Sequence, residues 1–116
     1  AALQDARAGL LLGSDAPQIM NVPGFSVHQE LAWLVEAGLT PLQALQTGTI
    51  NVATFFGDRN HGEVAAGYVA DFILLESNPL EDIGATTGIR GVMRNGTWYG
   101  RERLDGMLKG VRERGI

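Results

Sequence analysis

Leu10-Leu11-Leu12-Gly13-Ser14-Asp15-Ala16-Pro17 is a run of three leucines stopped by turn-forming residues. Leucines without polar alternation suit a strand covered on both faces, as in a parallel α/β sheet, better than a half-exposed hairpin. Gly13 to Pro17 is loop chemistry, so Asp15 directly follows a buried strand. In α/β sheets and barrels ligands sit at the carboxyl ends of strands, because the strand fixes the backbone while the loop lets the side chain project. The fold class is therefore read as α/β. At 116 residues the chain amounts to one domain at most, whereas a complete (β/α)8 barrel takes roughly 250.

Working outward, Ala1 to Ala8 has helical composition and ends at Gly9. Ser26 with Gln29 three residues on forms a capping-box pattern, followed by Val27, Leu31, Leu34 and Val35 on one helical face and closed by Gly38. Thr40-Pro41-Leu42-Gln43 repeats the signature, with Pro at the first helical position and Leu42 and Leu45 opening an apolar face. Gly48 ends that helix, and Thr49 to Phe56 predicts another, stopped by Gly57, that turns Ile50, Ala53 and Phe56 inward.

Beyond Gly57 the period changes. Gly62-Glu63-Val64 and Gly67-Tyr68-Val69 frame short extended pieces, and Val69 to Leu75 is β-branched and aromatic enough for a buried strand. Asn78-Pro79-Leu80-Glu81 reads as a small capped helical turn. Asn95-Gly96 tolerates the positive φ angles of a type I′ turn, which predicts a hairpin pairing Met93 with Trp98 and Val92 with Tyr99. From Arg101 onward Leu104, Met107, Leu108 and Val111 share a helix face, with Asp105 and Lys109 spaced four apart on its surface.

Composition narrows the function classes. Nine basic and thirteen acidic residues give a net charge of −4, with no basic patch, so nucleic-acid binding is disfavoured. No run approaches the roughly 18 apolar residues of a membrane span. Cysteine is absent, which removes disulfides, thiol nucleophiles and Cys-type zinc sites. The amino terminus has neither an initiator Met nor the charged and apolar regions of a signal peptide, and reads as a cut end. Nothing marks export, so a cytoplasmic location is the default expectation.

Asp15 is the candidate for chemistry. Its residue-level reading leaves two alternatives: a carboxylate that binds a metal or takes a proton, or a turn residue that caps local N–H groups. His28 sits in the first turn after Ser26, either contacting substrate or serving as a solvated or hydrogen-bonded helix residue. Met20, Val22 and Phe25, in the long loop after Asp15, either shape a pocket or pack on neighbouring helices. His61 falls in a polar loop and reads as surface. Asp71 reads as a buried structural carboxylate satisfied by backbone donors, and the tail from Arg101 first as a solvated helix face and second as an oligomer contact through its Leu104-Leu108-Val111 stripe.

Taken together, Leu11 to Pro17, Glu30-Leu31, Glu36 to Leu45, Asn51-Val52-Ala53, Gly62 to Gly67, Ala70 to Leu75 and Asn78-Pro79-Leu80 resemble the C-terminal part of an amidohydrolase-superfamily enzyme. The nearest branch is that of imidazolonepropionases and metal-dependent prolidase-like hydrolases. The resemblance covers nearly the whole chain to about Tyr99 and implies a (β/α)8 barrel with a small β-sandwich built from both chain ends. Residues 1–57 would be the barrel piece, with Leu10 to Gly13 as its eighth strand. Residues 58–100 would be the C-terminal part of the sandwich, and 101–116 a C-terminal helix.

Asp15 would bind the catalytic metal, by resemblance zinc as one or two ions, and exchange a proton with the hydrolytic water. A metal lowers the pKa of bound water toward about 7, and a carboxylate in reach relays the proton to the leaving nitrogen. The resemblance also calls for a His-x-His pair, a bridging Lys or Glu and two single histidines, all expected upstream of Ala1. This chain has two histidines, no His-x-His, and a single lysine, Lys109, in its tail. Truncation is the expected departure, leaving the 116 residues inactive by themselves and in need of the rest of the barrel or a homo-oligomer partner. The rival expectation is a non-catalytic structural or interaction module derived from the barrel's C-terminal part.

Overall fold

Thr40 Oγ1 accepts the Gln43 N–H at 3.2 Å while the Gln43 side chain accepts the Thr40 N–H at 2.9 Å, the reciprocal cap that its sequence announces. In the computed structural model, which describes residues 2–19 and 21–114, that cap opens helix α3, Pro41–Thr47. The other helices are α1, Ala2–Asp5; α2, Ser26–Glu36; α4, Ile50–Phe56; and α5, Arg101–Glu113. The strands are β1, Phe72–Leu75; β2, Ile89–Arg94; and β3, Thr97–Gly100, with a 3-10 helix over Ile83–Thr87 between β1 and β2. Thr40→Ala removes the cap and is expected to lower stability by about 1 kcal/mol, measurable as a shift of the urea midpoint at constant slope.

The core lies where α2, α3 and the 3-10 helix meet. Leu31, Ala44 and Ile83 form its buried centre, with Leu12, Ala32, Leu34, Val35 and Leu45 packed around them. Thr47 and Thr86 are buried beside it, each hydroxyl donating to a carbonyl three residues back, Ala44 O and Ile83 O. Gly57, at φ 69°, closes α4 in the left-handed conformation that glycine adopts without a Cβ penalty. Ala53 is buried as expected, but Ile50 and Phe56 face outward.

The hairpin follows its sequence to the residue. β2 and β3 pair antiparallel with Met93 opposite Trp98 and Val92 opposite Tyr99, and Asn95 and Gly96 take φ of 47° and 76°. β1 adds antiparallel to β2, giving the order β1-β2-β3, and Asp71 accepts the Asn95 N–H so that the hairpin turn is tied to the start of β1.

Several expectations change. Leu10–Leu12 is not a strand among the described residues: without a neighbouring strand its backbone groups bond to helices instead, Leu12 N–H to Thr47 O and Leu10 O to the Asn51 amide. Leu11 is accordingly exposed and Leu10 and Leu12 half-buried. Ser26 is the first helical residue of α2 and not its cap, because its hydroxyl is bonded to Ser14 Oγ at 2.8 Å. The stretch 62–69 forms turns, since Asn60 O and Ala65 O accept the N–H groups of Val69 and Tyr68 in place of a strand. Asp71 lies just outside β1 and is exposed, not buried, although it does accept a backbone donor. In α5 the ion pairs are Arg101 with Asp105 and Lys109 with Glu113.

The described residues leave much apolar surface uncovered. Ile19 is 96% exposed, Phe25 75%, Phe55 69% and Phe56 74%. The radius of gyration, 15.4 Å, exceeds the roughly 13 Å of a compact domain near this length. Among the described residues no helix is long and apolar enough to cross a membrane.

Candidate active site

Asp15 stands at the end of a segment held by three helices. Asn51 of α4 donates to Leu10 O at 3.0 Å, and Thr47 O at the end of α3 accepts the Leu12 N–H at 3.0 Å. From α2, Glu30 Oε1 accepts the Gly13 N–H at 3.0 Å and Ser26 Oγ lies 2.8 Å from Ser14 Oγ. Asn21 Nδ2 donates to Ser14 O, drawing the following loop back onto the same point.

Asp15 itself takes φ 53°, a left-handed conformation that Asp tolerates better than most residues. Its carboxylate is exposed, and Oδ2 accepts from Gln18 Nε2 at 2.5 Å. That bond is local, of the kind a turn carboxylate makes, while the rest of the carboxylate stays open to solvent. A cavity of about 510 Å³ is lined by its neighbours Gly13, Ser14 and Gln18 with Asn21, Glu30 and Trp33, but not by Asp15 itself.

His28 is half-buried, and its Nδ1 lies 3.0 Å from Thr86 Oγ1, which joins α2 to the 3-10 helix. Val22 and Phe25 are exposed beside the loop, and Met20 lies outside the described residues. His61, a surface residue by sequence, sits between two carboxylates: Nδ1 is 2.8 Å from Asp58 Oδ2 and Nε2 is 4.0 Å from Asp71 Oδ2.

The Asn60 N–H, and after it the His61 ring, hold the Asp58 carboxyl below its ordinary value of 3.8. A depressed carboxyl stabilises the fold above the unfolded value, and that contribution disappears as pH falls through the lower folded value. His61→Ala is expected to move the Asp58 titration back up toward 3.8, observable in the carboxyl carbon shift by NMR.

Among the described residues no three His, Asp or Glu side chains converge where an ion could be held. Asp15 offers a hard oxygen donor suited to one coordination position, and by themselves the residues present do not fit a metal centre. Sequence reasoning singled out Asp15 as a candidate but did not anticipate the ties on the segment before it. Ser26 and Glu30, four apart on α2, were a legible shared face, but nothing local told that the face meets residues 13 and 14.

The amidohydrolase family profile matches residues 1–99, ending one residue before the cap of α5. The chain belongs to the amidohydrolase family. It is 38% identical over 99 residues to an imidazolonepropionase from Deinococcus deserti, covering 82% of this chain and 25% of that protein. An ochratoxinase from Aspergillus niger is 40% identical over 77 residues, covering 64% of this chain and 15% of that one. The crystal structure of a candidate prolidase from Bifidobacterium longum superposes with a TM-score of 0.77 at 28% identity, over 94% of this chain and 28% of that one. This amidohydrolase chain thus spans a quarter or less of the length of those two curated relatives.

Proposed function

We propose that this chain is the C-terminal part of a metal-dependent amidohydrolase that cleaves a carbon–nitrogen bond in an amide, cyclic amide or dipeptide. In this reading Leu10 to Gly13 completes a (β/α)8 barrel as its last strand, once neighbouring strands supply the partners it lacks here. Residues 62–99 contribute the C-terminal strands of a β-sandwich. Asp15 is a ligand to a divalent metal, zinc by resemblance, and exchanges a proton during hydrolysis, the other ligands coming from sequence outside these 116 residues.

The observation that carries this reading is the placement of Asp15. An exposed carboxylate follows a leucine segment whose backbone is tied to α3 and α4, on a loop tied to α2 through Gly13 and Ser14. A turn aspartate with only local duties needs no such set of long-range clamps. The uncovered Phe25, Phe55 and Phe56 fit a chain that packs against the remainder of a barrel, or else against a copy of itself.

A single comparison tests the reading. The 116-residue chain alone is expected to self-associate on gel filtration and to leave N-acyl amides, cyclic imides and Xaa-Pro dipeptides intact. The protein with the upstream sequence is expected to hydrolyse at least one of them, to lose that activity to a chelator and to regain it with zinc. A monomeric 116-residue chain with turnover of its own, abolished by Asp15→Asn, would overturn it.

A further inference from the structure

Asp15 can serve catalysis only if its loop is held to within a fraction of an ångström, and the leucine segment before it has no strand partner among the described residues to do so. We propose that Glu30 is a positioning residue for Asp15. Its Oε1 grips the Gly13 N–H at 3.0 Å and so fixes the peptide two residues ahead of the working carboxylate. The inference rests on the hydrolase reading of Asp15 and assigns Glu30 a part in it.

Three observations converge. The bond spans 17 residues in sequence, so it is no local cap of α2 but a tie between that helix and the Asp15 loop. Ser26, one helical turn before Glu30, makes a parallel tie to Ser14, so a single face of α2 grips two consecutive loop residues. Finally, Glu30 Oε2 is buried and has no hydrogen-bond partner among the described residues. Half-satisfied buried carboxylates cost stability, and an apolar residue would build the helix more cheaply. An unpartnered carboxylate oxygen kept at that cost, in the wall of a cavity that Gly13 and Ser14 also line, points to a duty other than folding.

The test uses the protein with the upstream sequence. Glu30→Ala is expected to lower kcat by about 100-fold, the usual penalty for a reacting group misplaced by roughly 1 Å, with KM changed less than about threefold. Glu30→Gln keeps an oxygen acceptor for the Gly13 N–H and is expected to stay within about fivefold of the parent kcat, whereas Glu30→Asp, one methylene short, should behave like Ala. Independently of turnover, hydrogen exchange at the Gly13 amide is expected to accelerate by about tenfold or more in Glu30→Ala and not in Glu30→Gln.

Gly91→Ala serves as a control, because it strains β2 against the Trp98 ring and touches neither the loop nor the helices that hold it. If it lowers kcat as much as Glu30→Ala does, the effect is general instability and the inference fails. Unchanged kcat and unchanged Gly13 exchange in Glu30→Ala, with turnover abolished in Asp15→Asn, would overturn the inference alone. Turnover intact in Asp15→Asn would instead overturn the hydrolase reading beneath it.

Discussion

Asp15→Asn, in the protein with the upstream sequence, is expected to reduce kcat by about 10²- to 10⁴-fold, the range associated with loss of a positioned proton-transfer group. The substitution isolates charge and proton affinity from shape. Asn is among the few side chains that accept a left-handed φ such as the 53° at this position, and its amide oxygen can still receive the Gln18 amide. The side chain is exposed and makes no contribution to the core, so the melting temperature of the metal-free protein should not move, whereas the zinc-loaded variant loses the stabilisation that a bound ion confers. A large fall in turnover with that metal-free melting temperature unchanged assigns the carboxylate to chemistry. A large fall in turnover together with a lower melting temperature of the metal-free protein would mean that the residue mainly holds its turn.

The second large effect concerns stability. Gly91 is buried in the middle of β2, opposite Leu74 on one side and Gly100 on the other. A Cβ placed there would lie 2.2 Å from both Cζ2 and Cη2 of Trp98, whose ring covers the glycine. That overlap cannot be relieved by a flexible chain end, because an indole moves only as a rigid plate. Gly91→Ala is therefore expected to destabilise the three-stranded sheet by about 1–3 kcal/mol, as overpacking does elsewhere. Removing the ring should relieve the clash, so Trp98→Val in the same chain is expected to recover part of the loss, a coupling that a double-mutant cycle reads directly. Equal denaturation midpoints for Gly91→Ala and the parent would show that the ring does not rest on Gly91 in solution.

What was legible in the sequence was local. Asn95-Gly96 with its flanking strands gave the hairpin and its register, and Thr40-Pro41-Leu42-Gln43 gave a helix start down to the capping bonds, because both are settled by residues within a few positions of one another. The 3-10 helix over Ile83–Thr87 was not legible. Five residues are too few to show a period, and its start depends on Asp82 accepting the Gly84 N–H. Ser26 looked like a cap but became a tie to Ser14, a partner 12 residues away that no local pattern reports. Leu10 to Leu12 had the composition of a buried strand, yet a strand exists only with a neighbour, and here helix groups take its place.

The site divides in the same way. Asp15 stood out as a candidate because its position after an apolar run is a local signal, whereas Glu30 drew notice only as part of a family-like pattern. Its partner Gly13 lies 17 residues back along the chain, and only the folded arrangement brings the two together. His28 was noticed for its chemistry, but its hydrogen bond runs to Thr86, 58 residues on.

The most direct measurement is the metal content of the protein with the upstream sequence, parent against Asp15→Asn, after loading with zinc and dialysis against metal-free buffer. The parent is expected to retain zinc in a fixed stoichiometry and the Asn variant to lose all or part of it, with the two melting at the same temperature once both are stripped of metal. Identical zinc retention and identical hydrolysis in the two proteins would contradict a metal-ligand role for Asp15.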